Sequence, residues 1–170
     1  MGKETVFTFE NYTETSEGIL GRLYTKQENI PVNILIDNAA QVNLKEGNLC
    51  SMEVMGLCGD FRIFADEKAY YDEGQEMASV SLIPIGTFPA TGGEENLEQS
   101  ADILFSGKIT DVKSGDELEG MDVYGPDWQY MEVETLGMYL HLYVQCRDEI
   151  KTGNFVHGSA WLYGNVNPRE

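Results

Sequence analysis

Few side chains outside the carboxylates have chemical reach. The chain holds three cysteines (Cys50, Cys58 and Cys146) and two histidines (His141 and His157), set among 29 acidic residues. A structural zinc site needs four ligands, usually with close cysteine pairs. Here Cys50 and Cys58 are well separated and both histidines lie far down the chain, so no metal and no cofactor is expected. A catalytic thiol needs a partner imidazole and electropositive surroundings, and an acidic chain supplies the opposite. The odd number of cysteines in apolar runs reads as buried free thiols in a reducing compartment.

Other motifs fail on particular residues. The stretch Asp111-Val112-Lys113-Ser114-Gly115-Asp116-Glu117 resembles a calcium loop, but Lys113 and Gly115 stand where oxygen ligands belong. Thr91-Gly92-Gly93-Glu94 lacks the lysine of a phosphate-binding loop. There is no nucleophile elbow, and His157-Gly158-Ser159 matches no catalytic arrangement. Carboxylate pairs for acid–base work can be drawn in too many ways to single one out. The missing signatures favour a protein without catalytic activity.

One constellation stands above this background. From Met138 to Cys146 the chain alternates, with Met138, Leu140, Leu142, Val144 and Cys146 on one face and Tyr139, His141, Tyr143 and Gln145 on the other. From Phe155 to Tyr163, Val156, Gly158, Ala160 and Leu162 oppose Phe155, His157, Ser159, Trp161 and Tyr163. If residues 147–154 join these runs as a hairpin, the aliphatic rows share the core. Tyr139, His141, Tyr143, His157, Ser159 and Trp161 then share the opposite face. Amphipathic rings in such a row suit a protein interface or a flat ligand.

The elements that must carry this face are strands. Short apolar runs recur at Val6–Phe9, Gly18–Thr25, Val32–Ile36, Val42–Leu44, Met52–Gly56, Phe61–Phe64, Ala78–Ile85, Ile103–Val112 and Trp128–Val133, ahead of the two late runs. Glycine or asparagine lies in most connections. Helix signals are confined to Glu94–Leu104 and to a single turn at Asp66–Tyr71, too short to cross between parallel strands. The expected fold is all-β: an antiparallel β-barrel or two-sheet β-sandwich of about ten strands, with at most one or two short helices. Residues 1–170 read as a single all-β domain without internal repeat. The segment Phe105–Val112 has the glycine-bent look of strands in OB-type barrels, but eight residues name no family.

Composition limits the partners. A net charge of −18, from 29 acids against 11 scattered bases, excludes phosphate-backbone binding and repels anionic membranes. Apolar residues at 42% are too many for a disordered acidic chain. Three acidic loops are expected at Asp66–Glu76, Thr91–Asp102 and Asp111–Asp122. The N-terminus shows no secretory apolar run, and no stretch approaches the ~20 apolar residues of a membrane helix. A cytoplasmic protein is expected. The reading is a non-catalytic module that engages a protein partner, plausibly basic, through the aromatic face and acidic loops. One alternative is a small-molecule or metal-binding barrel, or an enzyme, with a pocket near His141 and His157. The other is an acidic nucleic-acid mimic that occupies a basic groove.

Overall fold

A computed structural model describes residues 3–75, 78–85, 100–114 and 127–169. Within these, the chain forms β1 (Thr5–Thr15), β2 (Gly18–Thr25), β3 (Pro31–Ile36), β4 (Leu49–Met52), β5 (Val54–Phe64) and a short helix α1 (Glu67–Asp72). β6 (Ser81–Pro84), β7 (Asp102–Lys113), β8 (Trp128–Thr135), β9 (Met138–Gln145), β10 (Phe155–Gly164) and β11 (Val166–Arg169) follow. The all-β expectation holds, and the strands close into a barrel. The turn expected after Asp66 is α1, whose N-terminus is capped by the Asp66 carboxylate accepting from the Ala69 N–H at 2.8 Å.

Other expectations give way. Val42–Leu44 forms no strand, and a 3-10 turn at Ala39–Gln41 precedes it. Most of the helix expected at Glu94–Leu104 lies outside the described residues. Its end is already strand β7, because Ile103 and Phe105 alternate into the core. Of the acidic loops, the first is partly α1, Asp111 belongs to β7, and the rest of the second and third falls mainly outside the described residues.

The pairings resolve into two five-membered rings. In the first, β1, β2 and β3 form an antiparallel meander. β3 then runs parallel to the end of β10, with Leu35 opposite Tyr163 and Ile36 opposite Gly164. β10 continues past Asn165 into β11, which pairs with β4, and β4 pairs with β1. In the second ring β7, β8 and β9 form the meander. Here β9 runs parallel to β5, β5 pairs with β10, and β10 pairs with β7. Two pairings are therefore parallel in a sheet expected to be antiparallel throughout. Their strands β3 and β9 are buried on both faces, as parallel strands usually are.

The rings repeat one another in register. Phe9 opposite Leu23 in the first corresponds to Ile109 opposite Val133 in the second, and each meander has a bulge at the next step, Phe9/Asn11 and Ile109/Asp111. Arg22 opposite Asn33 corresponds to Glu132 opposite His141. Thr5 opposite Met52 corresponds to Phe105 opposite Gly158. The correspondence carries Leu49 to Phe155 and Leu57 to Tyr163, so β4–β5 maps onto β10–β11. The last strand of each half thus leaves its own meander and completes the other's ring. The pseudo-twofold axis passes through the pair Gly56–Leu162. Glycine is required there: a Cβ on Gly56 would sit 2.8 Å from Leu142 Cδ2 and 3.0 Å from Leu162 Cδ2.

Inward-facing side chains make one continuous core, with Phe7, Leu23, Val32 and Ile34 from the first ring and Phe105, Ile109, Met131 and Leu142 from the second. Burying such residues contributes about 1.5–3 kcal/mol each. The β8–β9 turn places Leu136 at φ 50° and Gly137 at φ 81°, the twist that suits a two-residue hairpin.

Candidate functional site

β9 and β10 follow one another in the chain but are not neighbours in the barrel. β5 lies between them, parallel to β9 and antiparallel to β10. The hairpin expected across residues 147–154 is thus corrected: no β9–β10 ladder forms. Alternation assigned the faces correctly, since Leu140, Leu142, Val156 and Leu162 are fully buried core residues. What changes is the layout on the other face. His141 lies opposite Met55, Tyr143 and Trp161 both lie opposite Leu57, and His157 lies opposite Arg62. Along β5, Met55 and Arg62 are about 20 Å apart at ~3.3 Å per residue. The six residues are strung along β5 rather than clustered, and the two histidines share no pocket.

The His141 end is sealed. His141 is 1% exposed. The Lys3 carbonyl can only accept, so His141 Nε2 carries the proton and donates to it at 2.7 Å. In the neutral ring Nδ1 is then an acceptor, and Tyr130 Oη donates to it at 2.6 Å. Burial, reinforced by Glu132 and Asp111, holds the Tyr130 phenol well above its usual range, so it remains a donor. Thr110 Oγ1 donates to Glu132 Oε1 at 2.8 Å, and Lys3 Nζ stands 3.9 Å from the same oxygen. Tyr139 is half-buried, with Lys3 Nζ 4.8 Å above its ring.

The His157 end is covered by α1. Tyr70, fully buried, packs edge-on to Phe64 and donates to the Ala78 carbonyl at 3.2 Å. Its Oη lies 3.0 Å from Ser106 Oγ, which lies 2.9 Å from His157 Nδ1. A serine beside a histidine invites a nucleophilic reading. Ser106 has no exposed surface, so the chain Tyr70–Ser106–His157 fastens the helix to the barrel.

Between these ends, among the described residues, the outer face carries exposed apolar side chains and ends at the buried Tyr143. One row crosses five strand positions: Ile85, just past β6, whose N–H donates to the Asp102 carbonyl at 2.9 Å, then Asp102, Trp161, Leu57 and Tyr143. The next row holds Ile83, Leu104 and Ser159. Leu57, Ile83 and Ile85 are exposed at 37%, 45% and 41%. The Trp161 ring lies tilted against Tyr163 at 5.7 Å, and its indole N–H, shielded from solvent, has no acceptor among the described residues. Asp60, exposed on β5, stands at the edge of this strip.

Leu57, Ile83 and Ile85 escape sequence reasoning. β5 reads as two strands split at Leu57-Cys58-Gly59, whereas it is one strand with a bulge facing Ser159. The thiols of Cys50 and Cys58 are unsuited to nucleophilic work. Burial pushes Cys50 up to about 11, and burial with Asp60 pushes Cys58 up to about 12. Among the described residues, no three of His, Cys, Asp and Glu gather as a metal site, and no helix is long and apolar enough to cross a membrane.

No protein-family model matches the chain, and no curated protein resembles it in sequence. Among solved structures it is similar to the cytoplasmic molybdate-binding protein ModG in a molybdate-bound form, at 9% identity and a TM-score of 0.46, over 97% of this chain and 94% of that one.

Proposed function

We propose that the protein is a non-catalytic interaction module whose outer strip seats a basic protein segment with an aliphatic or aromatic anchor. The row Ile85–Asp102–Trp161–Leu57–Tyr143 carries the reading, because it places exposed apolar surface and an unused indole N–H beside carboxylates. An apolar centre rimmed by charge is the usual anatomy of an interface. Asp60 and Asp102 set the sign of the rim, and the net charge of −18 draws a basic partner from a distance. Trp161, Tyr143 and Ser159 keep a place in this strip from the face read in the sequence. Tyr139, His141 and His157 sit toward its ends and hold neighbouring segments.

The reading is tested by placing a photo-crosslinking residue at Leu57 and, as a control, at Glu17 on the first ring. A basic protein attached from position 57 alone, and lost at high salt, is the expected result. Adducts that form equally from both positions, or none from position 57, would overturn it.

A further inference from the structure

The pseudo-twofold relation places a counterpart of the sealed His141 site on the first ring, and there the position is open. Leu20 stands where the second ring has Tyr130, Asn33 where it has His141, Arg22 where it has Glu132, and Glu10 where it has Thr110. The shorter Leu20 and Asn33 leave a cleft of about 220 Å³. Arg22, Glu10, Tyr24 and Thr13 complete its wall with Asn11. Among the described residues its lining comes from β1, β2 and β3.

Asn33 is the telling residue. It is 3% exposed and lines the cleft, and its side-chain amide makes no hydrogen bond within the described residues, so its polar atoms are open only to what enters the cleft. Buried amides are costly unless bonded, and native structures leave few of them unsatisfied. The remaining wall is charge-balanced. Arg22 Nε lies 3.8 Å from Glu10 Oε2, and the guanidinium lies 5.9 Å over the Tyr24 ring. A guanidinium has five N–H donors and a carboxylate about four lone-pair sites, so each can serve a ligand as well as its neighbour.

We infer that this cleft binds a small zwitterion of the free amino acid class, with its carboxylate on Arg22, its ammonium on Glu10 and a polar side chain on Asn33. A bare anion would face Glu10 inside a strongly acidic protein, and a bare cation would face Arg22. A molecule bearing both signs meets neither repulsion. The volume equals that of about seven liquid waters, which suits a small amino acid.

The test is NMR of the full chain with the Asn33 side-chain amide as reporter, titrated separately with each protein amino acid, with sulfate and with ethylammonium. At least one amino acid should shift the Asn33 amide saturably while sulfate and ethylammonium leave it unmoved. Arg22→Gln should weaken that binding by about tenfold or more. If no amino acid moves the Asn33 amide of the wild-type protein, or if sulfate moves it as far, the inference is overturned. Unchanged affinity in a folded Arg22→Gln protein overturns it as well.

Discussion

The two rings share a backbone register and differ in how they treat the same outer position. In the second ring Tyr130, His141, Glu132 and Thr110 fill it, and the Lys3 carbonyl accepts the last free proton. In the first, Leu20 and Asn33 leave it hollow, and Arg22 faces Glu10 across a cleft. At the filled site both ring nitrogens of His141 are hydrogen-bonded, whereas at the open one the Asn33 amide makes no hydrogen bond to a described residue. A barrel wall can therefore be finished internally or left to be finished by something else, on one scaffold and with a handful of side-chain changes.

The largest expected effect comes from emptying the filled site. His141→Ala strands the Tyr130 hydroxyl and the Lys3 carbonyl and leaves a cavity, costing about 3 kcal/mol in urea unfolding. Asn33→Leu at the equivalent position removes an unpaired amide and should be neutral or stabilising by about 1 kcal/mol. Equal losses at the two positions would break the comparison.

Alkali separates the rings next. Two of the three thiols are held protonated by the fold, Cys50 of the first ring raised from 9.0 to about 11 and Cys58 of β5 from 9.0 to about 12. Above 9 the unfolded chain sheds protons that the folded chain keeps, so stability is full below that pH and falls as pH rises. The slope is about 1.4 kcal/mol per pH unit per thiol, and it ends near pH 11 for Cys50 and near pH 12 for Cys58. Cys50→Ala should flatten the lower part of this decline in pH-dependent unfolding, and an unchanged slope would refute the assignment.

Smaller effects refine the picture. Tyr130→Phe removes the donor to His141 Nδ1 and should cost about 1–2 kcal/mol. Lys3→Ala keeps the backbone carbonyl and loses the ammonium's 3.9 Å approach to the buried Glu132 carboxylate and its place over the Tyr139 ring, so about 1 kcal/mol is expected in the same unfolding assay. A larger loss would mean that the Lys3 ammonium, rather than its carbonyl, seals the site.

Alternation made the faces of β9 and β10 legible, and the single turn expected at Asp66–Tyr71 is α1. Which strands adjoin was hidden, because side-chain period says nothing about who pairs with whom. β5 came between β9 and β10 for reasons written in the register of residues 54–64, not in the late strands. The duplication was hidden too. Phe9 corresponds to Ile109, Leu23 to Val133 and Val32 to Leu140, one apolar residue standing in for another. Thr25 and Thr135 are a rare identity between the halves. Burial demands apolar volume at these sites and tolerates many ways of supplying it. The same tolerance let Asn33 and His141 diverge without disturbing the ladder around them.

The crossing of β5 and β11 into opposite rings has a kinetic consequence. Neither meander can close until a strand from the distant half of the chain arrives, so the earliest closed ring already requires long-range contacts. Such topologies fold slowly and cooperatively. A cut anywhere between residues 85 and 100 would turn the chain into two mutually dependent fragments, each holding the other's final strand. Their reassociation would then be second order in concentration, and the covalent link between the halves acts as a built-in effective concentration.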